Sequence, residues 1–575
     1  MSAASLNRPP RPGPANLGVL CLLAALAACG GGGGSPAPVA GSPSPSPTPS
    51  PAPAPTPAPA PAPAPSPSLP AVDTSPVAQA DPGSPLEAGW EYGATMEIFV
   101  RSYADSDGDG VGDLRGLIAR LDYLKDLGVR SLWLLPVTRS QDGDHGYAVA
   151  DYRAIEPAYG SLADFDELLK QAHARGIGVT VDYVMNHSAG THPAFVNARD
   201  GAGNTFRDWY VWANPAPSGW SVFGSNPWRS TANGAYYAPF WDQMPDWNLL
   251  NPAVVAFHKD NQRFWLNRGV DGFRFDAVGN LVENGPAAWL DQPRNYTLMQ
   301  EMQALAASYG RRAIVCEAPD DPRGFGGAQG CGSAFAFGLQ GQILNAARGQ
   351  ASAVQAVSDY FKSAPAAMAT FLSNHDSFAG QRPWDQLGGN QAQLKLAAAT
   401  LLLLPGRPFV YYGEEVGMGG AATLSDDGRL RSPMSWSGSA ANGGFTTGTP
   451  YRALAGNVQA QNVQAQAADP GSLLAHYKAL MALRNATPAI ARGSYDAAFA
   501  NGQVMGFQRT LGAQRVVVLL NYGATGTAAE VASLPAGAAL VNAWPAGAAG
   551  TSADATGRAR IDLPAQSVRV LRVNP

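Results

Sequence analysis

Residues Gly176–His187 read GIGVTVDYVMNH. The centre of this stretch, Gly178–Tyr183, is rich in β-branched residues and has the length of a buried strand. It ends in polar groups, with Asp182, Asn186 and His187 close together. Upstream, Phe165, Leu168, Leu169 and Ala172 fall on one face of a helix, and Gly176 is its stop signal. Helix, stop and strand therefore follow one another here, and the same order recurs along the chain.

Strands are expected at Thr95–Val100, Val129–Leu135, Gly178–Tyr183, Gly272–Asp276, Ala313–Cys316, Ser333–Phe337, Ala369–Ser373 and Pro408–Tyr412. Amphipathic stretches lie between them, one carrying Leu117, Ile118, Leu121, Leu124 and Leu127 on a single helical face. Eight strand–helix alternations predict an α/β protein built on a (β/α)8 TIM barrel. Two stretches break the alternation. The one from about Ser188 to Asn251 is too long for a loop and holds six of the 13 Trp, which predicts a small domain inserted after strand three. After about Ile490, short alternating runs such as Val516–Leu520 and Ser567–Val573 predict a C-terminal all-β domain. The expected organisation is a catalytic barrel over 89–487, its inserted domain over about 188–250, and a β-sandwich over 488–575.

The chain has 575 residues, more than one compact domain needs. Its net charge of −5 and lack of any basic cluster argue against nucleic acid as a partner. Residues 1–29 read as a leader: Arg8 and Arg11 precede an apolar run from Leu17 to Ala28, which is too short to span a membrane comfortably. Leu26-Ala27-Ala28-Cys29 resembles a bacterial lipoprotein cleavage box, which implies lipidation of Cys29. Gly30 follows it, with no Asp to signal inner-membrane retention, so the outer membrane or cell surface is expected. Residues 30–88 form a Gly/Pro/Ala/Ser-rich linker whose Ser35–Pro70 part favours polyproline II and reaches on the order of 100 Å. Cys316 and Cys331 lie in the globular part, where they either bridge or stay as two buried thiols. A monomer is expected.

Function in a barrel of this kind sits at the C-terminal ends of the strands. Strand three ends in Asp182–His187, strand four in GFRFDA with Asp276, strand five in VCE with Glu317, and strand seven in LSNHD with His375 and Asp376. Glycoside cleavage needs a carboxylate and a carboxylic acid on either side of the scissile bond. Arg274 lies two residues before Asp276, hence on the same strand face, and its guanidinium favours an ionised Asp276. Glu317 follows an apolar run, where burial favours the protonated form that a general acid needs.

These segments resemble the sequence regions of glycoside hydrolase family 13, the α-amylase family. DYVMNH, GFRFDAVGN, the Glu of IVCEAP and FLSNHD occur in the family's order, and MPDWN at Met244–Asn248 resembles a fifth region. GYAVADY at Gly146–Tyr152 and GRPFVYYGEEVGM at Gly406–Met418 resemble two more. The resemblance implies that Asp276 is the nucleophile, Glu317 the acid and then the base, and Asp376 the group that binds sugar hydroxyls and stabilises the transition state. It also implies that Arg274, His187 and His375 hold the sugar beside the bond and that Tyr147 stacks beneath it. The implied substrate is an α-1,4-glucan such as starch, glycogen or a maltooligosaccharide.

Asp105, Asp107, Asp109 and Asp113 alternate with small residues in DSDGDGVGD, a pattern of oxygen ligands that suits a hard cation. Position twelve of the run is Gly116, so the bidentate Glu of an EF-hand is missing. One structural Ca²⁺ is expected, with Mg²⁺ as the alternative ion and the Val111 carbonyl as a further ligand; oligo-1,6-glucosidase-like members of the family hold a divalent cation at this place.

Hydrolysis in the manner of an α-amylase competes with exo-acting α-glucosidase activity. Asp144 and Arg431 resemble residues that grip a non-reducing end in exo-acting relatives, whereas His145 before Gly146 is amylase-like. MPDWN lies near the motif of an intermediate group between the two, and Ala277 argues against a preference for α-1,6 bonds. A non-catalytic glucan-binding protein on the same barrel is the third alternative; such relatives lose a catalytic carboxylate, and all three are present here.

Overall fold

The computed structural model describes residues 72–574. The leader, Cys29 and the proline-rich stretch lie outside the described residues. Among the described residues no helix is long and apolar enough to cross a membrane.

Seven parallel strands make the barrel: Thr95–Ile98, Ser131–Leu134, Gly178–Tyr183, Gly272–Phe275, Ala313–Cys316, Ala369–Thr370 and Arg407–Tyr411. They run side by side from the fifth barrel position through the fourth, third, second and first to the eighth and seventh. The sixth position, expected as a strand over Ser333–Phe337, is held by two isolated bridges, Cys316 to Ala334 and Phe335 to Ala369. Phe335 N donates to Cys316 O at 3.0 Å and Ala336 N donates to Ala369 O at 2.8 Å. The barrel therefore closes through this segment without a continuous ladder. The expected seventh strand, Ala369–Ser373, is likewise only Ala369–Thr370.

Period-two alternation sorts each strand into an outer and an inner face. Met96, Ile98, Leu132, Leu134, Phe273 and Phe275 belong to the main core that includes the surrounding helices. Trp133, Val315, Phe335, Phe371 and Phe409 form a separate cluster inside the barrel. Glu97, Asp182 and Arg274 share that inner face, above an aromatic floor in which Trp133 and Phe335 lie 5.1 Å apart. Gly272 opens the fourth strand because a Cβ there would meet Ala313 O of the fifth at 2.3 Å.

The expected insertion after the third strand carries the helix Pro193–Asp200 and a three-stranded antiparallel sheet of Trp212–Ala213, Gly234–Tyr237 and Trp228–Thr231. Trp247 ties it to the barrel: its ring stacks on Tyr210 at 4.4 Å and its Nε1 donates to Tyr152 OH at 3.0 Å. The C-terminal part is all-β, a six-stranded antiparallel sheet from Asp496 to Asn574 with the pair Thr527–Val531 and Ala559–Leu563 packed on it over a core of its own.

Residues 72–88, read from sequence as the end of the linker, lie along the barrel. Val77 N donates to Asp260 Oδ1 at 3.0 Å, Ala80 N to Asn267 Oδ1 at 2.9 Å, and Arg311 Nη1 to Leu86 O at 2.8 Å. Leu86 is buried. Cys316 and Cys331 form a disulfide, with Cα atoms 6.2 Å apart, which resolves the open alternative in favour of the bridge.

Candidate active site

Arg274 projects inward from the fourth strand and is buried at 1% exposure. A guanidinium in that position needs anionic partners, because an unpaired buried charge is strongly disfavoured. It has three. Nη1 reaches Asp182 Oδ1 at 2.9 Å and Asp276 Oδ1 at 2.6 Å, and Nη2 reaches Glu317 Oε2 at 2.7 Å. The ends of the third, fourth and fifth strands thus meet on one side chain. Ala277, just after Asp276, has φ of 45°, and its N–H donates to Glu317 Oε2 at 3.1 Å. This left-handed residue turns the chain at the strand end, and its own N–H holds the Glu317 carboxyl next to Asp276.

The two carboxyl groups have different surroundings. Burial lifts Glu317 to about 7, with Asp276 and Asp376 adding to the rise and Arg274 opposing it. Burial also raises Asp276, but Arg274 and a hydrogen bond with Glu317 work against that rise. Through Arg274 the two carboxyl groups are held side by side at adjacent strand ends.

Asp376 lies at the end of the seventh strand. Burial disfavours its charge, yet His375 and Arg431 outweigh burial and hold the carboxyl well below its usual range. His375 Nε2 is 3.1 Å from Asp376 Oδ2, and Arg431 Nη2 is 2.8 Å from Asp376 Oδ1. On its other side His375 Nδ1 meets buried Glu97 Oε1 at 2.7 Å. Against the cost of burial these two acids raise His375 to about 10, so the ring is an imidazolium at neutral pH. Burial lowers His187 to about 4 and keeps it neutral.

Tyr147, from the loop after the second strand, donates its hydroxyl to Asp182 Oδ2 at 2.9 Å and lies 2.8 Å from His375 Nε2. Its ring stacks on His375 with centroids 5.6 Å apart. Asp276, Glu317, Asp376, Arg274, His375 and Tyr147 therefore form one hydrogen-bonded cluster. His187 lies at its edge, with Nε2 lacking any partner. Asp144 and Arg431 are not joined to each other. Asp144 forms an ion pair with Arg452, both oxygens at 2.7 Å from Nη2, and Arg431 divides itself between Asp376 and Asp427.

Three contributors escaped sequence reasoning. Asp182 lies at the start of DYVMNH and shares the inward face of its strand, so period two alone could have found it. Glu97 is the single acid in an apolar first strand, a signal equally compatible with an ordinary strand end. Arg452 had no signal, because only the fold brings it beside Asp144.

Asp105, Asp107 and Asp109 each offer a carboxylate oxygen, all within 4.8 Å of one another. The loop is wound tightly by Gly108 and Gly110 at φ of 89° and 92°, and a Cβ on Gly110 would meet Thr449 O at 2.1 Å. Like charges so close repel unless a cation lies between them, and three oxygens fit a hard divalent ion. Asp113 stands apart from this group. It caps the helix Leu114–Ala119 through Gly116 N at 2.7 Å and accepts from Ser106 N at 2.7 Å.

The family model for the α-amylase catalytic domain matches residues 97–493. The chain is 36% identical over 410 residues to α-amylase 3 of Dictyoglomus thermophilum, covering 70% of this chain and 78% of that protein. It is 31% identical over 494 residues to a probable α-glucosidase of Rhizobium meliloti, covering 75% and 89%. Its fold superposes on the crystal structure of an α-amylase from H. orenii with a TM-score of 0.73 at 31% identity, over 84% of this chain and all of that one.

Proposed function

Because the chain belongs to the α-amylase catalytic-domain family and is a glycoside hydrolase, we propose that it cleaves α-1,4-glucosidic bonds in starch, glycogen or maltooligosaccharides with retention. The observation that supports this most directly is Arg274, whose two terminal nitrogens each hold one of the pair, Asp276 at 2.6 Å and Glu317 at 2.7 Å. Asp276, ionised against Arg274, attacks the anomeric carbon. Glu317, protonated up to about 7, delivers its proton to the departing glycosidic oxygen as that bond breaks. Water then attacks the glycosyl–Asp276 ester, giving its proton back to Glu317 and regenerating both groups. Asp376, ionised and flanked by His375 and Arg431, binds sugar hydroxyls and stabilises the positive charge that develops on the ring.

NMR of the first-formed product tests this reading. An α-anomer is expected from an α-glucan, and a β-anomer would mean inversion and overturn the roles of all three acids.

Exo action is the second reading. It is favoured by the Asp144–Arg452 pair and by Arg431 at Asp376, which together crowd one end of the site with charge. The Met244–Asn248 segment likewise supports a place near the intermediate group. Products from maltoheptaose over time separate the readings: a ladder means endo action, and glucose alone from the start means exo action. Two further features belong to the proposal. One Ca²⁺ sits at Asp105, Asp107 and Asp109, with the Val111 carbonyl as a further ligand, as structure and not chemistry. The leader and Cys29 support export and lipid anchoring at the outer membrane.

A further inference from the structure

Glu317 is the first residue after the fifth barrel strand, and its position depends on the neighbours of that strand. On one side lies the fourth strand, paired residue by residue from Ala313 with Gly272 to Cys316 with Phe275. Glu317 continues that pairing: its N–H donates to Phe275 O at 3.0 Å, and its carbonyl accepts from Val278 N at 3.1 Å. On the other side, the sixth barrel position meets the fifth strand at a single bridge, Cys316 to Ala334. Cys316 N donates to Ser333 O at 3.0 Å, and Cys316 O accepts from Phe335 N at 3.0 Å. Successive residues of a parallel strand bond to alternate neighbours, so Ala318 is the next residue that could extend this side. Among the described residues it makes no backbone bond, and Cys316 carries the last rung.

The disulfide falls at this rung. It ties Cys316 to Cys331, 15 positions on, with the two Cα atoms 6.2 Å apart. Val315 belongs to the cluster inside the barrel and Cys316 to the core outside it. The bridge therefore lies on the outer face, and the Glu317 side chain returns to the inner one. Glu317 thus opens a loop that is covalently closed at its base. The far part of that loop is held elsewhere. Phe325 stacks on Tyr296 of the helix Pro293–Ala307 with centroids 4.1 Å apart, and Tyr296 OH donates to Asp321 Oδ2 at 2.6 Å.

We propose that the Cys316–Cys331 disulfide is a positioning device for the general acid: it stands in for the missing ladder on the sixth-position side and holds Glu317 against Arg274 and the Ala277 N–H. This rests on the retaining-glycosidase reading above. A ladder restrains a strand end by successive hydrogen bonds, and a covalent bond does the same where the chain offers one rung. Without it, the end of the fifth strand is fastened on the fourth-strand side alone, and water reaches a carboxyl group that burial keeps protonated. The charged groups facing that carboxyl are Arg274 and Asp276 from the fourth strand and Asp376 from the seventh, and none of them is altered. Loss of burial therefore lowers the pKa of Glu317.

The test compares wild type with Cys331→Ala and with the pair Cys316→Val and Cys331→Ala, which keeps apolar packing without the bond. kcat/KM is followed against pH on maltoheptaose and on α-glucosyl fluoride, whose departing group needs little proton donation. On maltoheptaose it should fall about tenfold near neutral pH, because a displaced acid loses part of its contribution. The loss should appear in kcat, the alkaline limb should move to lower pH, and the fluoride should be cleaved at close to the wild-type rate. If neither variant folds, folded wild-type enzyme is reduced with a phosphine until both thiols alkylate, and the same three readouts are expected of it. An alkaline limb that stays in place, or equal losses on the two substrates, would overturn the positioning role and leave the bridge as a stabiliser of the fold. The glycosidase reading fails separately, by a wild-type enzyme that cleaves neither substrate.

Discussion

A single guanidinium sets the protonation of the site. Arg274 faces Asp182, Asp276 and Glu317, and one cation cannot neutralise three carboxylates, so a proton stays with the group that burial favours most. That group is Glu317, raised to about 7. A general acid works only while protonated, and a raised carboxyl is protonated below its pKa. The alkaline limb of kcat/KM should therefore fall as pH rises through about 7. Glu317→Gln should remove that limb and cost about 10²–10⁴-fold on maltoheptaose, but far less on α-glucosyl fluoride, which needs little proton donation. An alkaline limb that persists in Glu317→Gln would assign the acid elsewhere. Asp276→Asn should fold normally and lose turnover on both substrates, because an amide cannot form the ester; turnover of the fluoride by that variant would remove Asp276 as nucleophile. The residues in these roles were legible in the sequence because each ends a strand. Glu97, the partner of His375, and Arg452, the partner of Asp144, were not, since an ion pair across 278 or 308 positions leaves no local pattern.

Elements were legible where they make repeated contacts and not where they close a ring. The first five barrel strands sit where runs of four to seven residues predicted them. The sixth is only two bridges wide and the seventh only two residues long, because there the chain needs just enough hydrogen bonds to join the fifth position to the eighth. A short apolar run carries no mark of how many bonds its neighbours will offer it. The acidic loop after the first strand was misread in one respect. Four alternating acids suggest four ligands, but Asp113 begins a helix, and a capping oxygen satisfies orphan N–H groups whether or not an ion is near. Asp105, Asp107 and Asp109 remain for the cation. Their mutual repulsion should make the loop depend on it, so chelation should lower the melting temperature more than it lowers the turnover of still-folded enzyme. Asp107→Asn should reduce that response to chelator. A melting temperature unmoved by chelation and restored calcium alike would leave these residues as a solvated turn.

At the scale of the whole chain, composition separated a proline-rich tail from a globular part, but it set the boundary too late. Residues 72–88 lack the apolar periodicity of a helix or strand, so sequence reading assigned them to the linker. Their attachment is made of single contacts to distant parts of the barrel: Asp73 with Arg153 at 2.9 Å, Asn267 Nδ2 to Ala78 O at 2.9 Å, and Arg311 to Leu86 O at 2.8 Å. The anchoring proposal concerns residues before this seam: Cys29→Ser should release the protein from membranes into the soluble fraction, and wild-type protein already soluble with Cys29 unmodified would refute lipidation. The seam itself gives a sharper test. Removing residues 1–71 should leave the melting temperature of the catalytic part unchanged, since every contact just named lies beyond the cut. Removing residues 1–88 uncovers the Leu86 site, worth about 1.5–3 kcal/mol by burial alone. It also strips partners from Arg153, Asn267 and Arg311. The longer truncation should melt several degrees lower and be cut faster by protease, while the product pattern of its folded fraction stays the same. Equal melting temperatures for the two truncations would mean that residues 72–88 lie on the barrel without stabilising it, and that the linker extends in effect through residue 88.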